Sequence, residues 1–160
     1  MIDRLKIIIA DDNKILTILL AEEIKKHEEF LLLDITNKTE EEIELIETLN
    51  PDVVITDIKR KEGDSKGLDI MKMYCHQKKP KFIVISGASY ADIIADLKKI
   101  NVKYYIQKPF KYDNVIEVLM RVREELYPHS LLEKNDTIQI YKKPNFVKRL
   151  IQAIKRRESK

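Results

Sequence analysis

"PDVVITDIK", residues 51–59, decides how this chain is read: an apolar run from Val53 to Ile55 closes on Thr56 and then on a carboxylate, Asp57. A run without polar alternation is what a strand covered on both faces requires, and such strands belong to parallel sheets. A carboxylate at the end of an interior strand must meet something there.

Working outward, strands and helices take turns. "LKIIIA", 5–10, is a second continuous strand, and residues 14–28 place Leu16, Leu20 and Ile24 four apart, with Leu19 beside them, which predicts a helix with one apolar face. "FLLLDIT", 30–36, reads as a strand. "TEEEIELIETLNP", 39–51, opens with Thr39 and Glu42 in capping-box spacing and stops before Pro51, a bounded helix. Beyond the opening stretch, 67–78 predicts a helix and "KFIVIS", 81–86, a strand. Ile93, Ile94, Leu97 and Ile100 then mark a helical stripe, "KYYIQ", 103–107, the fifth strand, and Val115, Leu119, Val122 and Leu126 the last helix. Strict alternation predicts an α/β fold, (βα)5, with parallel strands, right-handed crossovers and helices on both faces of a doubly wound sheet.

In such a sheet ligands bind at the carboxyl ends of the strands. Asp11 and Asp12 follow the first strand, Asp57 ends the third, Ser86 ends the fourth and Lys108 follows the fifth, so all five are expected on one edge. Three carboxylates together repel one another, which raises their pKa or demands a cation. An all-oxygen site with room for water suits Mg2+. Ser86 offers a hydroxyl and Lys108 a mobile ammonium for phosphoryl oxygens. The set reads as phosphoryl transfer to a carboxylate, with Asp57 as nucleophile.

These residues, spaced 45 from Asp12 to Asp57, 29 from Asp57 to Ser86 and 22 from Ser86 to Lys108, make residues 5–126 resemble the receiver domain of two-component response regulators, of the single-domain chemotaxis type. The resemblance implies a flavodoxin-like sheet in the order 2-1-3-4-5 and phosphorylation of Asp57 by a sensor histidine kinase or a phosphotransfer protein. It implies Mg2+ held by Asp12 directly, by Asp11 largely through water, by Asp57, and by the backbone carbonyl of Lys59. Ser86 and Lys108 would contact the phosphoryl group, Lys108–Pro109 is a cis-peptide candidate, and Tyr105 would turn inward as Ser86 moves. A downstream protein target, or a homodimer through the face of the fourth helix, fifth strand and fifth helix, would read the change. The protein would be a signalling phosphoacceptor rather than an enzyme, its only chemistry its own phosphorylation and dephosphorylation. A phosphorylation-independent pseudo-receiver that keeps the fold as a binding module is the alternative. A Mg2+ phosphatase with a strand-ending Asp nucleophile would need a second Asp at position 59, where Lys59 stands.

Two features depart from the pattern. "DIKRKEGDSKGLDI" lacks the usual Met-Pro pair and reaches Gly67 ten residues after Asp57 rather than eight. Its Lys59, Arg60 and Lys61 either contact a phosphoryl group or kinase or form a solvated loop. Ala88, two past Ser86, occupies the other position that tunes phosphate lifetime in the family.

Composition sets the remaining bounds. A chain of 160 residues has room for one domain and an appendage, and no run approaches the ~20 apolar residues of a membrane span. The single cysteine, Cys75, excludes a disulfide framework and agrees with a cytoplasmic location. His27, His76 and His129 are scattered, and the three glycines form no phosphate-cradling loop. Residues 127–160 hold nine Lys or Arg against three Asp or Glu, a balance of +6 within a net +3, which leaves −3 on residues 1–126. The expected division is a receiver domain, 1–126, and a basic C-terminal extension, 127–160. In the extension a short strand-like run, 137–141, precedes one amphipathic helix striped by Phe146, Val147, Leu150, Ile151 and Ile154. One helix is too little for a helix-turn-helix, so DNA binding is not expected. The stripe is expected to dock on the protein itself or a second copy, ahead of membrane contact by the basic tail.

Overall fold

The computed structural model describes residues 3–60 and 66–128, without the side chains of Lys66 and Tyr90. In chain order the elements are β1 (Leu5–Ala10), α1 (Lys14–Lys25), β2 (Phe30–Thr36), α2 (Thr39–Leu49), β3 (Val53–Thr56), α3 (Lys66–Tyr74), β4 (Lys81–Ser86), α4 (Tyr90–Lys99), β5 (Tyr104–Gln107) and α5 (Tyr112–Leu126). All neighbouring strands pair in parallel in the order β2-β1-β3-β4-β5, a flavodoxin-like α/β sheet.

The unbroken apolar strands are explained by two cores. Ile7, Ile9, Val53, Ile55, Ile83 and Ile85 face one side, with Leu20 and Ile24 of α1 and Val115, Leu119 and Val122 of α5. Ile8, Val54, Phe82 and Val84, the alternate residues, face the other side, with Ile46 of α2, Ile70 and Met71 of α3, and Ile93 and Leu97 of α4. Successive side chains in a strand point to opposite faces, so a sheet covered twice needs apolar residues at every position. The order reverses between β2-β1 and β3-β4-β5, which opens the crevice at the ends of β1 and β3.

Several element ends differ from those predicted. α1 stops at Lys25, three residues early, where the Lys26 N–H bonds back to the carbonyls of Glu23 and Ile24. α3 stops at Tyr74 rather than 78, and the chain turns into β4 through a cis Lys79–Pro80 bond. The capping box of α2 does not form. Lys38 holds the N-cap position with no side-chain cap, Thr39 is the first helical residue, and Glu42 is fully buried. Position 42 lies one turn before Ile46, on the face α2 turns to the sheet, so its carboxylate points inward rather than back to the helix start.

At the amino ends of the strands, buried Asp52 is a second polar centre. Its Oδ2 accepts from the Lys6 N–H at 2.8 Å, and its Oδ1 lies 2.5 Å from Lys79 Nζ and 2.9 Å from the Tyr127 hydroxyl. Tyr127, the first residue after α5, is thereby tied to the start of β3. Among the described residues no helix is long and apolar enough to cross a membrane. The expected strand and amphipathic helix of the tail lie outside the described residues.

Candidate functional site

Three strands of the sheet each deliver one charged residue just past their last ladder position. The N–H of Asp11 bonds to the Thr36 carbonyl of β2 at 3.2 Å, that of Asp57 to the Ala10 carbonyl of β1 at 3.1 Å, and that of Lys108 to the Ser86 carbonyl of β4 at 2.8 Å. Each backbone is therefore held by its neighbour strand while its side chain leaves the sheet edge.

The side chains converge. Lys108 Nζ lies 2.7 Å from Asp11 Oδ2 and 2.7 Å from Asp57 Oδ2, a single ammonium shared by two buried carboxylates. Their other oxygens are also held: Asp57 Oδ1 accepts from the Lys59 N–H at 2.9 Å, and Asp11 Oδ1 from the Asn13 N–H at 2.8 Å. Asn13 in turn caps α1 through the Leu16 N–H. Burial pushes the Asp11 pKa up, and the Lys108 hydrogen bond and charge only partly oppose it. Burial pushes Lys108 down, but its bonds to Asp11 and Asp57 outweigh that and hold the ammonium above its usual range. The cluster is a charge trap: two negative groups kept from repelling by one positive group.

Around it, Asp12 is half-buried beside Asp11, and Ser86 is fully buried at the end of β4. The Ala88 N–H lies 3.4 Å from Ser86 Oγ, and the Tyr105 hydroxyl donates to the Ala88 carbonyl. Tyr105 thus reaches the loop that Ser86 begins. The Lys108–Pro109 bond is cis.

Among the described residues no three His, Cys, Asp or Glu side chains form a ready-made metal cage. What is present is a pair of carboxylates around one cationic centre with a third acidic side chain, Asp12, on the same edge. That oxygen donor set fits a hard, partly hydrated cation and not a soft one.

Arg60 departs from the expectation of a basic patch open to phosphate or solvent. It is buried, with Nη2 2.6 Å from Glu42 Oε2 and Nε donating to the Asp57 carbonyl at 3.1 Å, and Nη2 also bonds the Thr56 hydroxyl. Lys59 is exposed, and Lys61 lies outside the described residues. In the sequence Arg60 reads as one of three basic residues beside the site and Glu42 as half of a capping box, and their pairing is not foreseen. The signal was an acidic residue on the core-facing stripe of α2, which a buried cation has to answer. Gly67 is the other unforeseen neighbour: a Cβ there would stand 2.8 Å from the Asp57 carbonyl oxygen, so only glycine lets α3 approach this loop.

The family model described as response regulator receiver domain matches residues 7–120. The receiver domain of AraT, a response regulator from Geobacillus stearothermophilus, is 27% identical, with 81% of this chain and 98% of that one covered at a TM-score of 0.68. A DNA-binding response regulator of the LuxR family from Staphylococcus aureus is 25% identical, covering 74% of this chain and 98% of that one at 0.66. A CheY-like receiver from Methanospirillum hungatei shares the fold at 18% identity and a TM-score of 0.65, with 77% and 99% covered. The chain belongs to the response regulator receiver domain family, whose members take a phosphoryl group on an aspartate in two-component signalling.

Proposed function

We propose that Asp57 is the aspartate that accepts the phosphoryl group, from a sensor histidine kinase or a phosphotransfer protein. The observation that carries this reading is the Lys108 ammonium held between Asp57 and Asp11 at the crevice of the sheet. A carboxylate oxygen of Asp57 attacks phosphorus as the bond from phosphorus to the donor's histidine nitrogen breaks. The Lys108 ammonium meets the charge of the phosphoryl oxygens, and the Ser86 hydroxyl donates to one of them. Asp12, Asp11, Asp57 and the Lys59 carbonyl would hold Mg2+, which supplies neutralisation of the remaining phosphoryl charge.

Exposed Ile15, Ile18 and Leu19 on α1 support this edge as the one a protein donor meets. So does an open groove of about 410 Å³ lined by Leu16, Lys108, Pro109, Phe110 and Tyr112. Output passes through Ser86 and Tyr105 to the face of α4, β5 and α5, where a downstream protein or a second copy binds. The protein acts in the cytoplasm as a phosphoacceptor whose catalysis is limited to its own phosphate.

The test is intact mass after incubation with acetyl phosphate and Mg2+. A gain of a single phosphoryl group that Asp57→Asn abolishes supports the assignment. No gain in the parent chain favours the binding module that works without phosphorylation, and a gain that survives the substitution places the acceptor elsewhere.

A further inference from the structure

Arg60 and Glu42 form a buried ion pair one turn of chain from the acceptor, at side-chain exposures of 1% and 0%. As packing it is poor. Arg60 Nη1 has no hydrogen-bond partner among the described residues, and burial drives the Glu42 pKa up against the opposing Arg60 charge and the hydrogen bonds from Arg60 and Thr56. Apolar residues of the same volume commonly serve a core at least as well as such a pair. Apolar residues could not do what Arg60 does: its Nε bonds the Asp57 carbonyl, and its Nη2 bonds Thr56, the last residue of β3, while Glu42 anchors the guanidinium to α2.

The bonds fall on the backbone that sets the site. The Asp57 carbonyl is pinned by Arg60 on one side and closed over by Gly67 on the other, and two residues on, the Lys59 N–H bonds Asp57 Oδ1. A rotation of the 57–58 peptide would shift Lys59 against Asp57, breaking the bond of the Lys59 N–H to Asp57 Oδ1 and moving the Lys59 carbonyl relative to the carboxylate.

We propose that Arg60, anchored by Glu42, is a positioning residue for the phosphoacceptor loop, holding the Asp57 carboxylate and the Lys59 carbonyl where a divalent cation and a phosphoryl group are received. This rests on the reading of Asp57 as acceptor. The planar guanidinium matters as well as the charge, because one group must reach α2, Thr56 and the Asp57 carbonyl at once.

Two variants of the full chain test it. Arg60→Met with Glu42→Leu replaces the pair by apolar side chains and is expected to fold, with a urea midpoint near that of the parent. Its Mg2+ affinity, read by amide NMR titration, and its rate of phosphorylation by acetyl phosphate should each fall about 10-fold, the scale on which supporting residues act at metal sites. Arg60→Lys keeps the ion pair but lacks the fork. It should be as stable as the parent, yet show the same loss of Mg2+ affinity, which a purely structural ion pair would not show. Faster hydrogen exchange at the Asp57, Ile58 and Lys59 amides in both variants reads the positioning whether or not Asp57 takes phosphate. A parent chain that gains no label therefore sinks the acceptor reading without deciding this one. Unchanged exchange and Mg2+ affinity within twofold of the parent in either folded variant overturn the proposal. Failure of both to fold overturns it too, since the pair would then be structural.

Discussion

Lys108 carries the electrostatics of the site, because it is the ammonium that two buried carboxylates share. Lys108→Met leaves Asp11 and Asp57 facing each other without it. The expected loss is about 2 kcal/mol at neutral pH, below the 3–5 typical of a fully buried pair because Lys108 is partly exposed. Urea unfolding should show this deficit shrinking as pH falls, since the raised Asp11 pKa means that acid neutralises this group early. For a carboxyl raised in the folded state, stability is fully present below its unfolded value and is lost as pH rises through the folded one. Gly67 gives a second prediction. An alanine would improve helix propensity by about 1 kcal/mol, but its Cβ would meet backbone at 2.8 Å, and backbone cannot swing aside. The clash wins, so Gly67→Ala should lower stability by about 1–3 kcal/mol, measured by thermal melting, and should slow the phosphorylation proposed for Asp57.

At the scale of elements, β5 and α5 are fastened at their surface by Tyr104, whose hydroxyl donates to Glu125 Oε1 at 2.5 Å. Burial and that hydrogen bond push the Tyr104 pKa up to about 12 from an ordinary 10. The raised value means the contribution is complete below pH 10 and is lost as pH rises from there through about 12. Alkaline unfolding followed by circular dichroism should therefore be steeper over that window in the parent than in Tyr104→Phe, and one late-ionising tyrosine should vanish from the ultraviolet titration. The start of β3 is fastened differently, by Asp52 with Lys79 and Tyr127. Both ends of the shortest interior strand are thus tied by buried charge: Asp52 before it, and Arg60 with Glu42 beyond it.

For the whole molecule, the expected switch is a change of the α4-β5-α5 face driven from the site. Tyr105 already bonds the Ala88 carbonyl in the loop that Ser86 opens, so the proposed movement of Ser86 toward a phosphoryl group would reach the tyrosine through two residues of backbone. Beryllofluoride with Mg2+ should shift amide resonances across residues 90–126 and leave those of β2, on the far edge of the sheet, largely unmoved. Shifts confined to the ends of β1 and β3 would argue against that route.

Element order and the residues at strand ends were legible in the sequence because both are local. Uninterrupted apolar runs specify strands covered on both faces, and a polar residue ending such a run lies at the carboxyl edge of the sheet whichever way the sheet is ordered. Strand positions 5–10, 30–36 and 81–86 accordingly match. The ends of α1 and α3 did not, since no Gly or Pro marks Lys25 or Tyr74 as the residue where the backbone turns, whereas α2 and α5 end where the sequence predicts. Tertiary structure decided which charges meet: Lys108 stands 97 residues from Asp11 and 51 from Asp57, and only the reversal of strand order beside β1 puts them around one ammonium. It also decided the direction of Arg60. In sequence Arg60 is one of three consecutive basic residues, and a chain of basic residues favours solvent. In the fold it points inward, because Glu42 on α2 lies buried where only a cation can answer its charge.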